Sequence, residues 1–146
     1  MTLRRTVMQA FAATLVLAGG PAAAADRLAL KGYDPVAYFT DAKATPGVSE
    51  FEYVWDGVRY RFATAQHRNM FITNPDKYAP QFGGLCAMNM SNGVQRESDP
   101  SFWVISNGVL YVFASTAGMT RFRERPDSYA AQASSNWQTI KATLTH

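Results

Sequence analysis

The chain has 146 residues, 47% of them hydrophobic and 13% aromatic, with 14 Lys and Arg against 11 Asp and Glu. Two of the basic residues are Arg4 and Arg5; without them 12 face 11, and no basic tract remains to follow phosphates, which excludes a nucleic-acid binder. The single cysteine excludes an intramolecular disulfide and any paired-thiol motif, and the length provides for one domain with one substantial core.

In chain order, Arg4 and Arg5 precede an apolar stretch from Val7 to Leu17, a Gly19-Gly20-Pro21 break, and Ala23-Ala24-Ala25 before Asp26. This predicts a cleavable signal over 1–25, a periplasmic or secreted product, and a single domain over 26–146. The apolar run is too short to span a bilayer, so no membrane insertion is expected after processing. The arginine pair also fits twin-arginine export, although Thr6-Val7-Met8 continues that motif poorly.

Residues 41–49 read as an exposed loop. Phe51, Tyr53 and Trp55 then alternate with Glu52 and Val54, Asp56-Gly57 makes a turn, and Val58, Tyr60 and Phe62 alternate with Arg59 and Arg61. The pattern predicts a β-hairpin with one wet face. A second hairpin is predicted from Trp103 through Asn107-Gly108 to Phe113. Val104, Leu110 and Val112 make its other face apolar too, which places it more centrally in the expected sheet. Thr64 and Ser115 are suited to cap a helix of two to three turns after each hairpin, each helix stopping at a proline, Pro75 or Pro126. A last helix, from about 128 to 144, closes the core.

Residues 57–81 and 108–132 match without a gap at a constant offset of 51, sharing the turn glycine, inward aromatics and proline. The predicted fold is therefore α+β: two repeated hairpin–helix units forming one antiparallel sheet packed by helices. At the same offset His67 meets Gly118 and Cys86 meets Trp137, so the reactive side chains belong to the first copy alone.

Two further stretches are distinctive: Gly32-Tyr33-Asp34-Pro35-Val36-Ala37-Tyr38-Phe39, and Tyr78-Ala79-Pro80-Gln81-Phe82-Gly83-Gly84-Leu85-Cys86-Ala87-Met88. In them the chain resembles the YHS-domain family, in particular its small secreted members, over roughly residues 30–140. The resemblance implies that family's fold and a metal-binding module. The chain lacks a contiguous Tyr-His-Ser and the paired cysteines of the family's metal-transport members.

The residues around Cys86 fit copper-type chemistry centred on that thiol, and equally plain core packing, since Cys and Met are both good core fillers. Gly83-Gly84 permits a close turn, and a helix starting at Cys86 would put its thiol at the positive end of the helix dipole. Met88 and Met90 follow, and Cys86 and Met90 would share a helical face, giving soft sulfur donors for a cuprous ion. His67, in the first turn of its helix, is a further candidate ligand. Asp34 before Pro35 reads as a turn-former, and Tyr33, Tyr38, Tyr78 and Phe82 as core rings or the walls of a small pocket. No hydrolase triad, phosphate loop, zinc-type spacing or Cys-x-x-Cys pair is present, which argues against hydrolase, nucleotide-binding and dithiol oxidoreductase functions and leaves the question of an enzyme open. A metal-binding module, a single-thiol redox protein acting through a mixed disulfide with a protein partner or a second copy, and a non-catalytic interaction module all remain open.

Overall fold

The computed structural model describes residues 26–144, so the predicted signal over 1–25 and His146 lie outside the described residues. The fold is mixed α and β. Strand β1 (Arg27–Leu28) is followed by a tight turn over Ala29–Gly32, helix α1 (Ala37–Thr40), and the hairpin of β2 (Val48–Trp55) and β3 (Val58–Phe62). Helices α2 (Ala65–Thr73) and α3 (Pro75–Tyr78) come next, then a second tight turn over Gln81–Gly84 and helix α4 (Ala87–Ser91). The second hairpin, β4 (Asp99–Ser106) and β5 (Val109–Phe113), leads to α5 (Thr116–Glu124) and α6 (Pro126–Leu144). No helix of the described residues is long and apolar enough to cross a membrane.

Local chemistry explains these boundaries. Asp56 and Gly57, and likewise Asn107 and Gly108, all have positive φ, the conformation that a two-residue hairpin loop requires and that Asp, Asn and Gly tolerate best. The hydroxyls of Thr64 and Ser115 accept hydrogen bonds from the backbone N–H groups of His67 and Gly118, capping α2 and α5. Pro75 and Pro126 each occupy the first position of the following helix, where a missing N–H costs nothing. The last helix accordingly begins at Pro126, two residues before the expected start.

The expected single antiparallel sheet is replaced by two small sheets. One has three strands in the order β1-β3-β2, with β1 parallel to β3; the other is the β4-β5 pair alone. The apolar faces of the second hairpin have a different cause from a central place in a sheet. Leu110, Val112, Trp103 and Ile105 pack into one hydrophobic cluster, while Phe113, Phe102, Val104 and Tyr111 pack into another, so the hairpin is sandwiched between two cores. Phe71 centres the first, with Tyr60 and Phe62 at ring distances of 4.9 and 5.2 Å. Phe122 centres the second, with Tyr111 and Phe113 at 4.9 and 5.0 Å. Burying each of these phenylalanines contributes about 1.5–3 kcal/mol.

The two tight turns follow one backbone course. Leu30, Lys31 and Gly32 have positive φ, as do Phe82, Gly83 and Gly84. Tyr33 then bridges Pro46 as Leu85 bridges Glu97. Next, the N–H of Asp34 donates to Thr45 O at 2.8 Å, and that of Cys86 to Arg96 O at 2.8 Å. Asp34 and Cys86 thus stand in the same local backbone setting, Asp34 three residues before α1 and Cys86 directly before α4. Gly47 closes the first of these loops, its N–H donating to Gly32 O at 2.9 Å.

Candidate functional site

Asp34 is fully buried, and its carboxylate gathers four donors. Oδ1 accepts from the N–H groups of Val36 at 2.8 Å and Ala37 at 3.3 Å. Oδ2 accepts from the N–H of Ala63 at 2.9 Å and lies 2.6 Å from His67 Nδ1. The first pair makes Asp34 the turn-former expected before Pro35; the second ties that turn to the end of β3 and the first turn of α2. A buried carboxylate is tolerated because every lone-pair direction is used.

His67 is the outward end of this network. Its side chain is 14% exposed, and its Nε2 lies 3.4 Å from the hydroxyl oxygen of Thr40, an exposed residue at the end of α1. The carboxylate at Nδ1 orients the ring, and in the tautomer that donates from Nδ1 to Asp34 the lone pair lies on Nε2, toward Thr40. In α1, Tyr38 is buried and its hydroxyl donates to Pro100 O at 2.7 Å. Desolvation, reinforced by Tyr33, Asp99 and Asp34, pushes the Tyr38 phenol well above its ordinary value, so it remains a donor.

Cys86 occupies a different environment. It precedes α4, is 1% exposed, and packs in the second cluster with Met90, which is fully buried. Met88 is half-buried against the same cluster. Its side chain lies beside Gly118, where a β-carbon would stand 3.5 Å from Met88 Cβ. The position aligned with His67 is therefore side-chain-free and has Met88 against it.

The structure thus brings Cys86, Met88 and Met90 together around α4 and places His67 with Asp34 beside the first cluster. Among the described residues, no group of three or more His, Cys, Asp or Glu side chains could hold a metal ion. Of the rings considered for a pocket wall, Tyr38 and Tyr78 are core, while Phe82 lines a cleft described below. The partner of His67 was the residue that sequence reasoning missed. Its trace was an aspartate placed before Pro35 and the run Val36-Ala37-Tyr38, where a buried charge is tolerated only with several donors around it.

Comparison with family models, with curated proteins and with solved structures finds no match to this chain.

Proposed function

We propose that the chain is a non-catalytic, YHS-like binding module of the periplasm or the extracellular space, in which His67 offers Nε2 to a copper-type metal ion. The observation that carries this reading is the 2.6 Å contact between His67 Nδ1 and the buried Asp34 carboxylate. A carboxylate on the far nitrogen orients a histidine ligand and raises its basicity, the supporting arrangement that metal-binding histidines use. One imidazole holds an ion loosely, with the remaining positions filled by water or by a partner's donors. That suits a module that receives and passes on an ion rather than one that stores it.

Cys86 takes a smaller part in this reading than its chemistry suggested. A thiol that is 1% exposed reaches neither a partner's disulfide nor a hydrated ion unless α4 opens. That burial disfavours the single-thiol redox reading and makes a non-catalytic interaction module, with Cys86 only packed, the second reading. The gapless 51-residue offset supports the proposal that the two hairpin–helix units derive from one duplicated unit. With each unit extended back to the tight turn before it, the first carries the Asp34–His67 pair at the positions where the second carries Cys86 and Gly118.

Native mass spectrometry of residues 26–146 with copper, with zinc and with no metal tests the reading. The parent and Cys86→Ser should each gain one copper ion, and His67→Ala should gain none. If Cys86→Ser loses copper while His67→Ala keeps it, the ligand is the thiol and this reading fails.

A further inference from the structure

A second concave site lies away from the Asp34–His67 pair. It is a partly enclosed cleft of about 200 Å³ between the tip of the first hairpin and α6. Its walls carry four aromatic side chains, Trp55, Tyr60, Phe82 and Trp137, and two carboxylates, Asp56 and Asp76. Ring faces present negative charge, so aromatic walls with carboxylates on the same cleft favour a cation that is bulky and weakly hydrated.

Three features mark the cleft as more than a gap in packing. Tyr60 is 1% exposed, yet its hydroxyl makes no hydrogen bond with any described residue, and the residue lines the cleft. Burial holds that phenol above its ordinary value, so it is a hydroxyl with an unused donor and acceptor. The backbone is also closely approached here. Gly83 has a φ of +61°, and a β-carbon there would lie 2.9 Å from an Arg27 nitrogen and 3.6 Å from the Trp137 ring, so a glycine lets the indole and the Arg27 guanidinium, which donates to Gly83 O, close on the turn. Finally, the chain already lodges an ammonium at the cleft's edge: Lys141 Nζ lies 2.5 Å from an Asp56 oxygen and 5.9 Å from the centre of the Trp137 ring.

We propose that this cleft binds a small organic ammonium ion of the choline class, its head group against the indole faces and carboxylates and its hydroxyl on Tyr60. Lys141 then acts as an intramolecular competitor for Asp56 and Trp137. A quaternary ammonium fits better than a metal ion, because the walls offer ring faces rather than a set of convergent lone pairs.

The test is titration of the metal-free chain over residues 26–146 with choline and with choline's neutral carbon isostere, followed by tryptophan fluorescence and calorimetry. Choline should bind saturably, with the isostere weaker by about tenfold, the difference that a desolvated cation–π contact and a carboxylate supply. Asp76→Asn, a change to an exposed side chain that leaves the core intact, should weaken choline by about threefold or more, and Trp137→Leu by about tenfold. Lys141→Ala should tighten it by removing the competitor. Equal binding of choline and the isostere would show a merely apolar cleft and overturn the proposal. So would the absence of any saturable signal up to roughly 50 mM, weaker than the millimolar range of a functional small-molecule site.

Discussion

Replacing Asp34 with asparagine keeps the shape of the side chain and removes what holds the candidate site together. Four donors converge on two carboxylate oxygens: two backbone N–H groups on Oδ1, and one backbone N–H with His67 Nδ1 on Oδ2. Asparagine has a single acceptor oxygen, so its NH2 must face one of these pairs whichever way the amide lies. Facing Val36 and Ala37, it leaves two buried N–H groups unpaired. Facing Ala63 and His67, it lets the imidazole reverse its tautomer and accept, but the Ala63 N–H is still orphaned. An orphaned buried donor costs about 1–3 kcal/mol, and losing a charge-assisted bond adds a similar amount, so about 2–4 kcal/mol of destabilisation is expected. His67→Ala leaves the three backbone donors paired and should cost less, about 1–2 kcal/mol. Urea unfolding of both variants checks this. The Asp34→Asn midpoint should fall by about 1–2 M with an unchanged slope. A midpoint indistinguishable from the parent would show that the carboxylate is not the organising centre of this loop.

Phe71→Ala and Phe122→Ala should each cost about 3–5 kcal/mol in urea unfolding, since each removes the fully buried ring at the centre of its cluster. Because they serve different clusters, the costs should add in the double variant to within about 0.5 kcal/mol, measured in a background stable enough to read both. Gly47→Ala should destabilise by about 2 kcal/mol or more, read as a fall in the thermal midpoint. Its new β-carbon would stand 2.7 Å from both the Arg61 carbonyl carbon and Gly32 O, backbone atoms that cannot rotate away. Glu52 is held below the usual carboxylate range, first by the hydrogen bond from Arg61 and then by Arg59. A depressed folded value means that its contribution is complete above the unfolded pKa of about 4.3 and is lost as pH falls through the folded value. Thermal midpoints measured between roughly pH 5 and pH 2 should therefore fall less steeply with acid in Glu52→Gln than in the parent.

Much of the local structure was legible because its chemistry is local. Asp56-Gly57 and Asn107-Gly108 marked the hairpin tips through the positive φ that those turns demand, and Thr64 and Ser115 marked helix starts through their capping hydroxyls. What was not legible depends on contacts between distant segments. Arg27–Leu28 adds itself in parallel to β3, and nothing in a two-residue strand announces its partner. The apolar second face of β4 and β5 suggested a central sheet position. A hairpin wedged between two cores produces the same pattern, and periodicity does not separate the two. Leu30, Lys31 and Phe82 adopt positive φ without being glycine, which hid the common course of the two tight turns. That course aligns Cys86 with Asp34, whereas the sequence offset aligns it with Trp137. The candidate site suffered most from this. His67 was recognised as a ligand type, but its partner lies 33 residues away in a turn that sequence alone reads as structural.

The central claim, that a buried carboxylate presents His67 Nε2 as the chain's metal-binding group, is tested most directly by nitrogen NMR of the imidazole rings in the chain over residues 26–146. Before metal is added, His67 should show the tautomer protonated on Nδ1, with Nε2 carrying the lone pair. On titration with zinc as a diamagnetic stand-in for copper, Nε2 of His67 should shift first and most, and Cys86→Ser should leave that response unchanged. A His67 ring protonated on Nε2 instead, or one that stays silent while the α4 signals around Cys86 and Met90 move, would contradict the account.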